Sequence, residues 1–302
     1  PGGAARPARG GVTVPALLGA AAGAAVAAAW LIPSLPPGPV FFGAALVVAA
    51  AGAVDMGMTG EATEGAMAEP VVLITGVGKR GQVGYALAEA FGAAGARLVL
   101  AGRSDDVQAR AAELGTDVVA VRADLATAEG AAAAVEAARE RWGRLDTVVN
   151  AAGGLRVVKP LAETSPEEWS GEIDRNAGTA FLVSRAALPL LRESRGAIIN
   201  FASPAAERAV ARLGAYAAGK AGVVALTRAM AMEEKTTGVR VNAVAPGLID
   251  TADNRAGVQD PDGTAWVSRE AIAEVVLFLA SARGVSGEVV HVTNADVPRV
   301  GG

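Results

Sequence analysis

The chain has 302 residues, 52% of them apolar and 4% aromatic, with 27 basic and 31 acidic side chains for a net charge of −4. That length holds one large α/β domain or two small ones, and an acidic balance without any Lys/Arg-rich run gives no basis for nucleic-acid binding. The absence of cysteine excludes disulfides and thiolate chemistry, and a lone histidine, His291, cannot build a metal cluster, so no metal site is expected.

From Gly10 to Val54 no residue carries a charge. Two apolar stretches, 12–32 and 40–54, flank "PSLPPGP", a proline-rich break that reads as a turn between two helices. The first is long enough to span a bilayer. The second would form about 22 Å of helix against a hydrocarbon core of roughly 30 Å. Arg6 and Arg9 precede the pair, which would keep both ends of a hairpin in the cytoplasm. Three readings stay open: a membrane hairpin tethering a cytoplasmic domain, an upstream extension outside the mature protein (Met67 sits where a domain can begin), and a cleaved signal peptide. Residues 1–66 are therefore set apart as an apolar N-terminal extension, and 67–302 as the main domain.

From Val71 onward, short β-branched runs ("VVLIT", "RLVLA", "DVVAV", "DTVVN", "GAIINF", "VRVNAVA", "EVVHV") alternate with longer Ala-rich stretches at helical spacing. This pattern predicts a doubly wound parallel sheet with helices on both faces, a three-layer α/β sandwich. The strand runs are almost continuously apolar, as strands buried on both faces are. Such sheets bind ligands beyond the carboxyl ends of their strands, where strand order reverses.

The residues after the strands suit that place. After the first strand comes "TGVGKRGQVG", with Thr75, Gly76, Gly78, Lys79, Arg80, Gly81 and Gly84 leading into a helix. Glycines let a backbone approach a pyrophosphate, and the helix offers free N–H groups. A plain tight turn would explain this motif alone equally well. "AGRS" follows the second strand, bringing Arg103. "RADLA" follows the third, with Asp124 placed to accept from an adenine amino group and Leu125 beside it. "NAAGG" follows the fourth, with Asn150, Ala151 and Gly153 facing the first turn. His291, in the seventh run, is expected to be structural.

In "YAAGK", Tyr216 and Lys220 stand four apart, on one face of a helix. A free phenol has a pKa of about 10, and a neighbouring ammonium should favour the phenolate and lower it. Ser203 precedes Tyr216 by thirteen residues, at the end of "AIINFAS", and its hydroxyl could bind the same substrate oxygen.

Together with "NAAG", the Asn176 of "RNAGTAFLVSRAALP" and "VNAVAPGLIDT", these residues make the chain from about 69 to 293 resemble the nicotinamide-dependent short-chain dehydrogenase/reductase family. The resemblance implies a Rossmann-type fold and a catalytic tetrad of Asn176, Ser203, Tyr216 and Lys220. Tyr216 would be the acid/base, and Ser203 would orient the reacting oxygen. Lys220 would lower the tyrosine pKa and hold the nicotinamide ribose, and Asn176 would hold a water that feeds protons to the lysine. Pro246, Gly247, Ile249 and Thr251 would flank the nicotinamide carboxamide. A small-molecule carbonyl or alcohol is the implied substrate, and a homo-dimer or homo-tetramer, built on surfaces such as 217–232, the implied assembly. A non-catalytic nucleotide-binding sensor or scaffold on the same fold is the rival reading.

Two departures stand out. The glycines of the first turn are spaced more widely than the family's, by two residues in all, yet Gly84 still opens the helix, so the site is expected to survive. The segment from Gly247 to Glu270 is shorter than the usual substrate lid, and in its DT, NR, Asp262 and Trp266 spacing it is similar to the tail of dihydropteridine reductases, which leaves a conjugated C=N substrate open. Arg255, Asp262 and Trp266 either line that lid or face solvent. Finally, cofactor choice is made at the 2′ position of the adenosine ribose, where an acidic side chain repels a 2′-phosphate. Gly102 occupies that position, and Arg103, Lys79 and Arg80 lie nearby, so NADP(H) is expected to be preferred over NAD(H).

Overall fold

A computed structural model describes residues 69–115, 117–208, 210–258 and 265–293. The two apolar stretches of the N-terminal extension, Met67 and Asp262 lie outside the described residues. Among those described, no helix is long and apolar enough to cross a membrane.

Each of the seven apolar runs forms a strand: β1 (Val71–Thr75), β2 (Arg97–Gly102), β3 (Val118–Arg122), β4 (Thr147–Asn150), β5 (Ala197–Phe201), β6 (Arg240–Pro246) and β7 (Val289–Val292). They pair in parallel in the order β3-β2-β1-β4-β5-β6-β7. Between them run α1 (Val83–Ala93), α2 (Asp106–Leu114), α3 (Ala128–Trp142), α4 (Pro166–Ile173), α5 (Thr179–Ser194), α6 (Gly214–Glu233), α7 (Ala252–Gly257) and α8 (Arg269–Ser281).

Alternate side chains of a strand point to opposite faces, and β1 shows what that does here. Val72 and Ile74 pack among Leu87, Phe91, Ile272 and Val276 of α1 and α8, whereas Val71 and Leu73 pack among Ala134, Val183, Ala187 and Leu191 of α3 and α5. Small alanines on the second face let α3 and α5 lie close to the sheet. The chain winds outward from β1 in both directions, so strand order reverses between β1 and β4. The two first turns diverge there and leave a crevice at the carboxyl edge.

Two local devices fix the elements around that crevice. Ser165 caps α4 in a reciprocal capping box with Glu168, and Pro166 opens the helix. At its other end α4 runs through a π-helical turn, Asp174–Gly178, before continuing as α5. Thr75, expected to meet the cofactor, serves the fold as a staple. Its buried hydroxyl donates to Val149 O at 3.2 Å and accepts from Ala152 N at 3.0 Å, tying β1 to the turn after β4.

Thr75→Val keeps the shape but leaves the Ala152 N–H without its acceptor. The expected cost is about 1–3 kcal/mol. It should be read as a lower urea midpoint at unchanged m-value, and an unshifted midpoint would show that the staple is dispensable.

Candidate active site

Three of the expected tetrad residues arrive from β5 and the helix that follows it. Ser203 stands just beyond β5, half-buried, its Oγ accepting from Ala205 N at 3.2 Å. One turn apart on α6 lie half-buried Tyr216 and buried Lys220. The lysine Nζ donates to Phe201 O, the last carbonyl of β5, at 2.7 Å, and lies 5.9 Å from the Tyr216 ring centroid.

Asn176 comes from the π-helical turn and is 1% exposed. Its side-chain amide is fully engaged. Oδ1 accepts from Gly154 N at 3.1 Å, while Nδ2 donates to Gly154 O at 3.2 Å and Glu172 O at 3.0 Å. Gly153 makes this closure possible: at φ +150° its missing Cβ would stand 2.8 Å from Asn176 Oδ1 and 3.3 Å from Lys220 Nζ.

The electrostatics differ from the expectation. Tyr216 is raised above the ordinary phenol value: burial is the main cause, the Ser203 hydroxyl opposes it, and the Glu172 carboxylate adds to it. Burial also pushes Lys220 down, to about 8, with Glu172 working against that fall. The ammonium spends its hydrogen bond on Phe201 O and is itself hard to keep charged, so in the protein alone burial outweighs it and the phenol stays protonated at neutral pH.

Toward β1 the crevice opens into a cavity of about 530 Å³. Gly76, Gly78, Lys79, Gly102, Arg103, Asp124, Leu125 and Gly153 of the expected contacts line it. Arg156 and Arg175 also line it and were not expected. Arg175 Nε is buried with no hydrogen-bond partner among the described residues. The two adjacent cations of the first turn part company: Lys79 lines the cavity, while Arg80 turns outward to Glu113 of α2 at 2.9 Å. Gly102 has a steric reason to be glycine, since a Cβ there would stand 2.2 Å from Val77 O. No acidic side chain fits at 102 while the first turn holds this shape.

Other expected contacts serve the fold or a neighbouring cleft. Asn150 is buried and its Nδ2 donates to Ser184 Oγ and Asn200 Oδ1, beneath the crevice rather than in it. Gly84 is buried in the first turn of α1, and Ala151 packs against the core. Gly81 and Thr251 line a second cleft beside the first turn, and Thr251 Oγ1 caps α7 by accepting from Asn254 N at 3.2 Å. Pro246 ends β6, followed by Gly247, and Ile249 bridges to Val267. In the short lid, Arg255 lies 5.0 Å over the Trp266 ring and forks onto Asp250. His291 pairs with Glu207 at 3.3 Å, apart from the tetrad.

The sequence reading missed Glu172. It is 0% exposed, and Oε1 accepts from Arg156 N at 2.6 Å and Val157 N at 2.8 Å while Oε2 accepts from Asn176 Nδ2 at 3.2 Å. The only signal was its place four residues before Asn176.

The chain resembles known proteins over most of the described domain. The family described as short chain dehydrogenase matches residues 70–262. A 1,6-dihydroxycyclohexa-2,4-diene-1-carboxylate dehydrogenase of Acinetobacter baylyi is 40% identical over 59% of this chain and 68% of its own. A 3-oxoacyl-(acyl-carrier-protein) reductase of Chlamydia muridarum is 32% identical over 73% of this chain and 94% of its own. Among solved structures, a 3-ketoacyl-(acyl-carrier-protein) reductase from Brucella melitensis complexed with NADH superposes with a TM-score of 0.67 at 29% identity, covering 75% of this chain and 97% of that one.

Lys220 makes a pH test of the site. Its pKa falls from 10.5 unfolded to about 8 folded. Between those values the unfolded chain binds more protons, so stability rises with pH; below pH 8 the full cost of burying the ammonium is present. Lys220→Met removes this dependence. Its stability advantage over the wild type should therefore shrink by about 2–3 kcal/mol between pH 7 and pH 10. Urea unfolding at both values checks this, and a constant gap would refute the weak proton.

Proposed function

The chain belongs to the short-chain dehydrogenase family, and from that premise we propose that it is a nicotinamide-dependent oxidoreductase that reduces a carbonyl group with Tyr216 as the proton donor. The observation that carries the reading is the convergence of Ser203, Tyr216 and buried Lys220 at the carboxyl end of β5. A scaffold that merely binds a nucleotide has no use for that costly lysine.

The residues around the cavity fit the cofactor. The α1 N-terminus carries no side-chain cap and no acidic residue in its first turn, leaving its amides for a phosphate. Arg175 Nε, buried without a hydrogen-bond partner among the described residues, is a donor that an anionic ligand could satisfy. Lys79 and Arg103 line the same cavity and would hold a 2′-phosphate by charge-assisted hydrogen bonds, which supports NADP(H) over NAD(H). Asp106 also lines it, but its carboxylate accepts from Ser104 Oγ at 2.9 Å.

A bound nicotinamide supplies the hydride to the carbonyl carbon. Tyr216, kept protonated by its burial, gives its proton to the oxygen as negative charge gathers there. Ser203 donates to the same oxygen and spreads that charge. The Lys220 ammonium, anchored on Phe201 O, stabilises the phenolate left behind. Asn176 holds the Gly153–Gly154 turn against the lysine, a mechanical task beside the water-binding role that the family resemblance implies.

The loops leaving β4, β5 and β6 carry exposed Leu155, Val158, Val210 and Leu248, which favours a carbonyl flanked by hydrocarbon. The pterin-like alternative is less well served, because Arg255 covers the Trp266 ring. A panel of oxoacyl, cyclic ketone and quinonoid pterin substrates distinguishes the two.

Tyr216→Phe should lower kcat/KM by at least about 10²-fold, the usual worth of a positioned acid, while NADPH binding followed by fluorescence stays unchanged. Retained turnover would sink the assignment. The kcat/KM ratio of NADPH to NADH should fall in Arg103→Ala and in Lys79→Ala but not in Arg80→Ala, whose side chain is held by Glu113. A wild-type preference for NADH, or a ratio indifferent to Arg103 and Lys79, would show that these cations do not read the 2′ position.

A further inference from the structure

Two described glutamates are almost completely sealed from solvent, and they are held differently. Glu234, 1% exposed, is neutralised by the Arg192 guanidinium. Glu172, 0% exposed, has no ion pair with any described residue. Within hydrogen-bond distance it is met by Arg156 N at 2.6 Å, Val157 N at 2.8 Å and Asn176 Nδ2 at 3.2 Å. An interior carboxylate is costly to hold, so its position calls for a reason.

The reason lies on α6. Asn176, which receives the carboxylate, touches Gly154 with both ends of its amide, and beside that turn stands Lys220 Nζ, 3.3 Å from where a Gly153 Cβ would be. Carboxylate, amide and ammonium thus occupy one sealed layer between α4 and α6. Lys220, too, has a backbone carbonyl but no counter-ion within salt-bridge distance among the described residues.

We propose that Glu172 is a positioning residue, the distant counter-charge that keeps the Lys220 ammonium charged in its buried seat and so tunes proton exchange at Tyr216. The same carboxylate pins the 154–157 segment over Asn176. The charges around it support this partnership. Lys159 is tied to Glu168 at 2.6 Å, and Arg156, Asp174 and Arg175 line the cavity. Glu172 raises the proton affinity of both Lys220 and Tyr216, each of which is otherwise governed by burial. The meaning for catalysis rests on the tetrad reading above; the electrostatic link between the three groups does not.

The test needs no substrate. The chain has only two tyrosines, so in a Tyr85→Phe background the ¹³Cζ signal of labelled tyrosine reports Tyr216 alone. Labelled lysine ¹³Cε, assigned by its loss in Lys220→Met, reports Lys220. In Glu172→Gln, loss of the charge should move both titrations down, each by at least about half a pH unit. If the side chain only braces the fold, the variant loosens the site and relieves burial. Tyr216 would then fall while Lys220 rises, and that result overturns the proposal, as do two unmoved titrations in a folded variant. Should Glu172→Gln not fold, Glu172→Asp decides, because it keeps the charge while disturbing the packing. A shift of both titrations in the same direction, as the carboxylate retreats by one methylene, supports the proposal, and opposite shifts or two unmoved titrations overturn it. Failure of the tetrad reading would appear separately, as an active Tyr216→Phe enzyme.

Discussion

A positive charge buried at the carboxyl edge of a parallel sheet is the constraint around which the rest of this domain is arranged. Lys220 has lost its water, gained one backbone carbonyl, and binds its proton less tightly as a result. Such a residue destabilises the fold at neutral pH, and it persists only where the surroundings over-determine its position. Here they do. β5 ends at the carbonyl it binds, the π-helical turn brings Asn176 alongside, and the turn after β4 closes over both where Gly153 has no side chain.

That seat depends on the sheet through few connections. Thr75 joins β1 to the turn after β4, Asn150 joins β4 to β5 and α5, and Asn200 carries the chain on to Thr227 of α6 at 2.9 Å. These side chains lie beneath the crevice with their polar groups largely satisfied, and buried polar networks of this kind specify one arrangement where apolar packing would tolerate several. The alanine-rich faces of the flanking helices supply the close packing, and the polar links supply the register. A family's "NAAG" motif is therefore partly a brace for the sheet and partly a wall of the cavity, with the division falling between Asn150 and Gly153.

The five inner strands were legible in the sequence because both of their faces are buried, which makes their apolar runs continuous, whereas the edge strands β3 and β7 are only partly buried and are betrayed by their β-branched composition. Tyr216 and Lys220 were legible because helical spacing alone places them on one face. What escaped was which polar groups turn inward. "PEEWSGEIDRN" reads as a charged, solvated helix face, and nothing in its periodicity distinguishes Glu172 from Glu167 or Glu168. The distinction comes from two tertiary facts, the π-helical turn at its carboxyl end and the backbone amides of Arg156 and Val157 that donate to Glu172. Lys79 and Arg80 pose the same problem on a smaller scale: adjacent in sequence, they are separated by a carboxylate on α2 that only the fold brings near. The direction of the tyrosine shift escaped for a related reason, since counting charges along a helix omits the dielectric cost of burying the phenol.

Burying both members of the Tyr216–Lys220 pair has a chemical consequence beyond its cost. Desolvation disfavours the charged form of each group, raising the phenol above its ordinary 10.0 and lowering the ammonium from 10.5 to about 8, so it drives apart two proton affinities that nearly coincide in water. The phenol therefore holds its proton more tightly than the lysine does, and Tyr216 rests in the protonated form that a proton donor needs. A carboxylate near both would slide the pair together along the pH axis and leave their spacing almost intact. In a solvated site the phenol and the ammonium would titrate close together, near 10.0 and 10.5, and water would screen both from the carboxylate. Burial between α4 and α6 is what separates the two titrations and brings both under the influence of Glu172.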